Sequence, residues 1–300
     1  KVFFVKYEFW YNYLKVLHSQ SIPTYIFSTI FRPGQYFFKW YGAWFRHQFG
    51  RCFTHLFVQN EESMQLLKSI GIGHCSLAGD TRFDRVHQIA LASESNDIVE
   101  AFVSSKQSLS RFGTRTSSSP LGLTETFLNG HNGNVIVAGS TWPPDEELLS
   151  KLRLDALSLK IILAPHLIDE EHLQQIEGHF PDSVRYSSLK DPADAPRRAP
   201  TDPKVLIIDN IGLLSKLYRY ATVAYIGGGF GVGIHNILEA VTFGKPVIFG
   251  PNYHKFKEAH DIIARGGGWS VAHDGADLVR LINLLLTDTE AYSRASQACT

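Results

Sequence analysis

Short apolar runs alternate with longer amphipathic stretches along most of this chain, and no other feature restricts the possible folds as strongly. Strands are predicted at 2–6, 22–28, 54–59 and 75–79, with helices at 9–19, 35–48 and 61–69 between them. Strands separated by helices require crossover connections, so the sheet must be parallel with helices packed on it. Punctuation agrees: Pro23 opens the second strand, Pro33-Gly34 stops the chain before the second helix, and Glu61-Glu62 sit where a helix dipole favours acids.

The rhythm breaks at 104–120, where seven serines, two threonines and Pro120 leave little to bury. It resumes at Asn134. Strands are predicted at 134–139, 160–164, 204–208, 222–226, 246–249 and 268–271, with helices at 144–152, 169–178, 211–220, 235–243, 255–265 and 275–286. The loop 181–203, with five prolines, is a surface excursion. The expected organisation is α/β throughout: a first domain at 1–103, a linker or insertion at 104–133 and a second domain at 134–300. Two doubly wound domains facing each other across a cleft are the economical arrangement for 300 residues. Lys1 runs straight into Val2-Phe3-Phe4-Val5 with no initiator Met or cap, so an upstream segment is expected and the first domain reads as incomplete.

The formal charge is zero, yet it is unevenly spread. Residues 1–58 hold seven basic residues against Glu8 alone, whereas the remainder holds 22 basic against 28 acidic. The same 58 residues carry 20 of the 37 aromatics, which suits an anionic, partly apolar partner such as a membrane surface. The segment Tyr36–Phe49 either lies against lipid, with Lys39 and Arg46 reaching phosphates, or is a helix buried on nearly all sides. The balanced total argues against a nucleic-acid partner. No apolar run is long enough to span a bilayer, and no signal peptide is expected. Cys52, Cys75 and Cys299 lack metal or disulfide spacing, and His47, His55, His74, His131 and His260 lack metal spacing as well, so no metal is expected and a reducing compartment fits.

Chemistry concentrates after residue 224. The strand Ala224-Tyr225-Ile226 runs into five glycines within 227–233, and a helix is expected to open near His235 or Asn236. Glycines let backbone approach a ligand closely, and free N–H groups at a helix start favour a phosphate. Glu239, one turn in, suits a ribose diol. The alternative is a tight strand-to-helix turn whose glycines are structural. The pattern is neither a dinucleotide fingerprint nor a Walker A loop, since no acid ends a following strand at the proper offset and no Gly-Lys-Ser/Thr occurs.

This segment, with the following Gly244-Lys245-Pro246-Val247, resembles the nucleotide-binding segment of the Kdo (3-deoxy-D-manno-octulosonic acid) transferases of lipopolysaccharide synthesis. Five more stretches are similar to the family's motifs and fall in its order: Lys6 to Asn12, Gly79 to Asp84, Ala138 to Thr141, Ala164 to His166, and Asp209 to Leu214. The resemblance implies a GT-B glycosyltransferase, inverting and needing no metal or cofactor. It would move Kdo from CMP-Kdo to the phosphorylated lipid A precursor (lipid IVA) at the cytoplasmic face of the bacterial inner membrane. Carried over residue by residue, CMP contacts fall on Pro165 and His166, on Ile211, Gly212 and Leu213, and on Asn236, Ile237, Leu238 and Glu239. Transition-state assistance falls on Glu8 and Arg82. A carboxylate can stabilise an oxocarbenium-like sugar, and a cation the departing phosphate. Residue chemistry alone also allows Glu8 to be a helix N-terminal acid and Arg82 to pair with Asp80 or Asp84 on the surface.

The chain departs from the family in three ways. The family's general base and membrane anchor fall upstream of Lys1, which implies a chain nearly inactive by itself. His166 stands at a position that is often Arg, and Leu213 replaces a common Glu. Two other readings share the glycine loop: a GT-B transferase or epimerase using a UDP-sugar, and a catalytically inactive nucleotide-binding scaffold.

Overall fold

A computed structural model describes residues 1–6, 8–92, 94–104, 134–155, 157–190, 202–273 and 275–300. The expected linker at 104–133 therefore lies almost wholly outside the described residues, as does the middle of the proline-rich loop. Two compact units are present, Lys1–Arg85 and Val86–Thr300.

The first unit contains β1 (Val2–Val5), α1 (Tyr11–Ser19), β2 (Thr24–Thr29), α2 (Ala43–Cys52), β3 (His55–Val58), α3 (Glu61–Ser69), β4 (Cys75–Leu77) and the start of α4 (Thr81–Leu91). Its sheet is fully parallel in the order β1-β2-β3-β4. One face buries Ile26, Leu56, Val58 and Cys75 together with Leu14 of α1, Phe49 of α2 and Leu67 of α3. Strand residues alternate sides, so the opposite face carries an aromatic ladder in which Phe3 stacks on Tyr25 and Phe27 on Phe57, at ring separations of 5.5 and 4.4 Å.

The single helix expected at 35–48 is instead two 3₁₀ turns, Tyr36–Phe38 and Trp40–Gly42, followed by α2. Arg46 holds this arrangement by donating from Nη1 to the Phe37 and Lys39 carbonyls at 3.0 and 2.9 Å. The segment is not buried on all sides: Phe37 and Phe49 are in the core, whereas Trp40, Tyr41 and Trp44 are exposed.

The second unit continues with α5 (Asp97–Ser104), β5 (Asn134–Thr141), α6 (Pro143–Ser150), β6 (Leu159–Pro165), α7 (Glu170–His179), β7 (Ser183–Arg185), α8 (Tyr186–Lys190) and β8 (Val205–Ile207). After these come α9 (Leu214–Leu217), β9 (Val223–Ile226), α10 (Leu238–Val241), β10 (Val247–Phe249), α11 (Lys257–Arg265), β11 (Gly268–Ser270), α12 (Ala276–Thr287) and α13 (Thr289–Cys299). The sheet runs β11-β10-β9-β5-β6-β8-β7, all parallel. Both faces are apolar. Val135, Val137, Ile162, Leu206 and Ala224 enter one core cluster, while their strand neighbours Ile136, Ile161, Leu163, Ile207 and Val223 enter the other. Such two-sided burial explains why these strands read as near-continuous hydrophobic runs.

The first domain was expected to extend to 103, but residues from Val86 onward fold with the second unit. Val99, Phe102 and Val103 of α5 are buried in its core, and the buried Lys160 Nζ donates to the Phe102 carbonyl at 2.6 Å. The chain winds outward from β5 through β6 to β8 and β7, then returns to the other side of β5 as β9. The strand order thus reverses between β5 and β9, the position at which sheets of this kind usually take a ligand in a crevice beyond their carboxyl ends.

Candidate functional site

Three turns border this crevice. After β5 comes Trp142, after β6 His166, and after β9 the glycine run leading to His235. The Trp142 and His166 rings stack at 4.6 Å with 23° between planes, and His166 lies against His235 at 4.7 Å. Trp142 Nε1 donates to His235 Nε2 at 3.4 Å. Because indole is only a donor, this contact requires an unprotonated Nε2 on His235. Burial lowers the His235 pKa and the neighbouring His166 lowers it further, while the Asp145 charge opposes both.

The glycines are required sterically where the turns meet. A Cβ on Gly139 would overlap the Tyr218 hydroxyl, one on Gly227 would overlap the Ser140 carbonyl, and one on Gly229 would come within 2.6 Å of Gly250 backbone. Gly228 adopts φ +87 and Gly233 φ +139, conformations that L side chains rarely take.

The helix expected from 235 to 243 is shortened to the four residues of α10. Some of the N–H groups expected to cradle a phosphate are engaged within the chain. Gly228 N donates to Asp145 Oδ2, Gly231 N and Gly233 N to the Gly228 carbonyl, His235 N to the Gly227 carbonyl, and Leu238 N to Asn236 Oδ1. The imidazoles of His166 and His235 border the same edge.

Beneath the crevice lie two consecutive buried carboxylates on α6 that sequence reasoning did not single out. Asp145 accepts from Tyr225 Oη at 2.8 Å, Gly228 N at 2.9 Å and Trp142 N at 3.0 Å. Burial raises its pKa, and these three donors pull it back down. Glu146 accepts from Thr141 Oγ1 at 2.9 Å and lies 2.8 Å from His172 Nε2, whose Nδ1 faces the Leu167 carbonyl at 3.0 Å. With oxygen acceptors at both His172 nitrogens, one proton is held between Nε2 and Glu146. Burial likewise raises the Glu146 pKa, with the His172 hydrogen bond opposing it.

The residues expected to contact CMP reach this same sheet edge. Pro165 ends β6, and exposed His166 follows. Ile211 is 89% exposed, Gly212 turns with φ +95, and Leu213 packs on the core beside Leu214, whose side chain lies over Gly139. Just before them, Asn210 Oδ1 is buried with no hydrogen-bond partner among the described residues. Ile237 and Leu238 are core residues, so side-chain contact with a ligand is left to Asn236 and Glu239, both half-buried. Asn236 Nδ2 donates to Glu239 Oε1 at 3.2 Å.

In the first unit, Glu8 follows β1, is half-buried, and precedes the first turn of α1, which contains no acid. It is therefore not a helix-dipole acid. Arg82 sits at the start of α4, with Nε donating to Asp80 Oδ2 at 2.7 Å. Both residues lie beyond carboxyl ends of the same sheet, Glu8 after β1 and Arg82 after β4. The α4 start is fastened to the end of β2, because Ser28 Oγ accepts the Thr81 amide at 2.8 Å and donates to Thr81 Oγ1 at 2.9 Å. Among the described residues no group of three or more His, Cys, Asp or Glu could hold a metal, and no helix is long and apolar enough to cross a membrane.

A family model described as "3-Deoxy-D-manno-octulosonic-acid transferase (kdotransferase)" matches residues 1–85, the span of the first unit. The 3-deoxy-D-manno-octulosonic acid transferase of Rickettsia prowazekii is 25% identical over 244 residues, covering 80% of this chain and 46% of that protein. This chain is similar to the Kdo transferases. The corresponding Aquifex aeolicus enzyme is 30% identical over 164 residues, covering 53% of this chain and 44% of the enzyme. The chain thus spans less than half the length of these curated proteins. Among solved structures, UDP-GlcNAc 2-epimerase from Neisseria meningitidis superposes with a TM-score of 0.57 at 15% identity, covering 94% of this chain and 66% of the epimerase. That likeness concerns the fold, which is of the GT-B class shared by such epimerases and glycosyltransferases.

Proposed function

We propose that this chain belongs to an inverting glycosyltransferase that moves Kdo from CMP-Kdo to a hydroxyl of the phosphorylated lipid A precursor in lipopolysaccharide synthesis. The observation carrying the reading is that Pro165-His166, Ile211 to Leu213 and Asn236 to Glu239 border one carboxyl-end sheet edge at the β5/β9 reversal. In this reading Glu239 accepts from the ribose diol, and His166 and His235 meet the phosphate.

As the bond from the sugar to the CMP phosphate breaks, its electron pair leaves with CMP. The imidazoles are suited to stabilise that charge while the sugar becomes oxocarbenium-like. By resemblance to the Kdo transferases, Glu8 is assigned a carboxylate role toward the sugar and Arg82 a cationic role in the transition state. The acceptor oxygen forms the new bond and gives its proton to a general base. The basic, aromatic-rich first 58 residues, with Trp40, Tyr41 and Trp44 exposed, suit an anionic lipid at the cytoplasmic face of the inner membrane.

Calorimetric titration with CMP tests the site. CMP binds, and His166→Ala and Glu239→Ala each weaken it by about tenfold, as expected for lost hydrogen bonds to charged groups. Glu8→Ala, which removes a carboxylate assigned to the sugar, leaves CMP affinity near wild type. Affinity indifferent to both His166 and Glu239 contradicts the assignment.

A further inference from the structure

Asp145 is wholly buried, and its hydrogen-bond donors among the described residues are the Tyr225 hydroxyl and the backbone amides of Gly228 and Trp142. A buried carboxylate of this kind is costly unless its lone pairs are filled, and removing its donors or its charge should be felt wherever those donors sit. They sit on both banks of the crevice. Tyr225 and Gly228 belong to β9 and the glycine loop, while Trp142 belongs to the turn after β5 and stacks on His166. One side chain thus ties together the two turns that diverge at the reversal point.

Its charge also reaches His235. The groups acting on that imidazole are His166 from the turn after β6, Asp145 from α6, and the neutral Trp142 indole, with Glu146 and its partner His172 set behind Asp145. Burial and His166 both disfavour a proton on His235, and Asp145 acts in the opposite direction.

We propose that Asp145 is a positioning residue of this crevice, acting through Gly228 and His235 without itself touching a ligand. It holds the glycine loop in the shape that leaves the crevice open, and it sets the electrostatic surroundings of the imidazole facing an incoming phosphate. The proposal rests on the reading of the crevice as a nucleotide site, so its test includes measurements made without nucleotide.

The variants are Asp145→Asn and Asp145→Glu in the whole chain, with folding checked by circular dichroism. Asn keeps the volume, removes the charge and sets an amide NH₂ against backbone donors. The His235 imidazole titration, followed by NMR in ligand-free protein, is expected to move to lower pH in Asp145→Asn and to return toward wild type in Asp145→Glu. CMP affinity is expected to fall by about tenfold or more in Asp145→Asn. A folded Asp145→Asn with wild-type CMP affinity and an unmoved His235 midpoint overturns the proposal. If that variant does not fold, the wild-type Gly228 amide decides: slow hydrogen exchange is expected for a donor to a buried carboxylate, and exchange at exposed-loop rates overturns it. If the wild-type chain fails to bind CMP, the nucleotide reading falls, while the His235 midpoint and the Gly228 amide still judge the role of Asp145.

Discussion

The Gly228 amide donates to the buried carboxylate of Asp145 at 2.9 Å, linking the glycine loop after β9 to the helix after β5. That single bond changes the meaning of the loop. The amide at its first sharp turn is satisfied by the protein, so this N–H shapes the loop and is not offered to a ligand. The His166 and His235 rings, 4.7 Å apart, border the same edge.

Steric closeness at the crevice makes the glycines unequal. Gly227→Ala places a Cβ over the Ser140 carbonyl and 2.6 Å from Thr141 Cα, so the backbone must shift. A loss of about 2 kcal/mol or more is expected in chemical denaturation. Gly178→Ala in α7, where nothing lies within 4 Å of the added carbon, is the control and is expected to gain about 0.5–1 kcal/mol.

Glu146→Ala removes the partner of a His172 that is itself buried, together with the acceptor for the Thr141 hydroxyl. The expected cost is about 3–5 kcal/mol, read as a drop in the denaturation midpoint. Glu146→Gln, which keeps an acceptor for Thr141, is expected to lose less.

Lys245 is buried, and burial lowers its pKa from 10.5 to about 8. A lysine depressed on folding contributes stability above its unfolded pKa and loses it as pH falls through the folded value. At pH 7 the ammonium is therefore held at a cost. Lys245→Met is expected to be more stable than wild type at pH 7 by on the order of 1–3 kcal/mol. The advantage should shrink as pH rises from about 8 toward 10.5. Thermal unfolding of the two proteins across that range is the measurement, and a gap that widens with pH would contradict it.

All three cysteines are buried, and burial pushes the Cys299 thiol up to about 12. Since the thiolate is the reactive form, native protein at pH 8 should react with an aromatic disulfide reagent at a small fraction of the rate seen after denaturation. Fast native labelling would show that α13 opens.

Much of this fold is visible in the chain's punctuation, and the exceptions have identifiable causes. The strands of the second unit are apolar on both faces, so runs such as Ile161-Ile162-Leu163-Ala164 stand out in the sequence. The Pro165-His166 turn and the glycine run are likewise legible, because each ends such a strand. The extent of α10 is not. Ile237, Leu238, Ala240 and Val241 have helical spacing, but Gly233 at φ +139 and the bond from His235 N to the Gly227 carbonyl keep 233–236 out of the helix. Asp145 and Glu146 look like ordinary acids at a helix start, and only the tertiary neighbours Tyr225, Gly228 and His172 reveal them as buried. Phe102 and Val103 were assigned to the first domain because a serine-rich stretch follows them, whereas the cavity they fill belongs to the second sheet.

The most direct test of the central claim, that the β5/β9 crevice holds a cytidine nucleotide, is isothermal titration of the chain with CMP and, separately, with UDP. The account predicts saturable one-site binding of CMP that Glu239→Ala weakens, with UDP clearly weaker. Tighter binding of UDP than of CMP would contradict it.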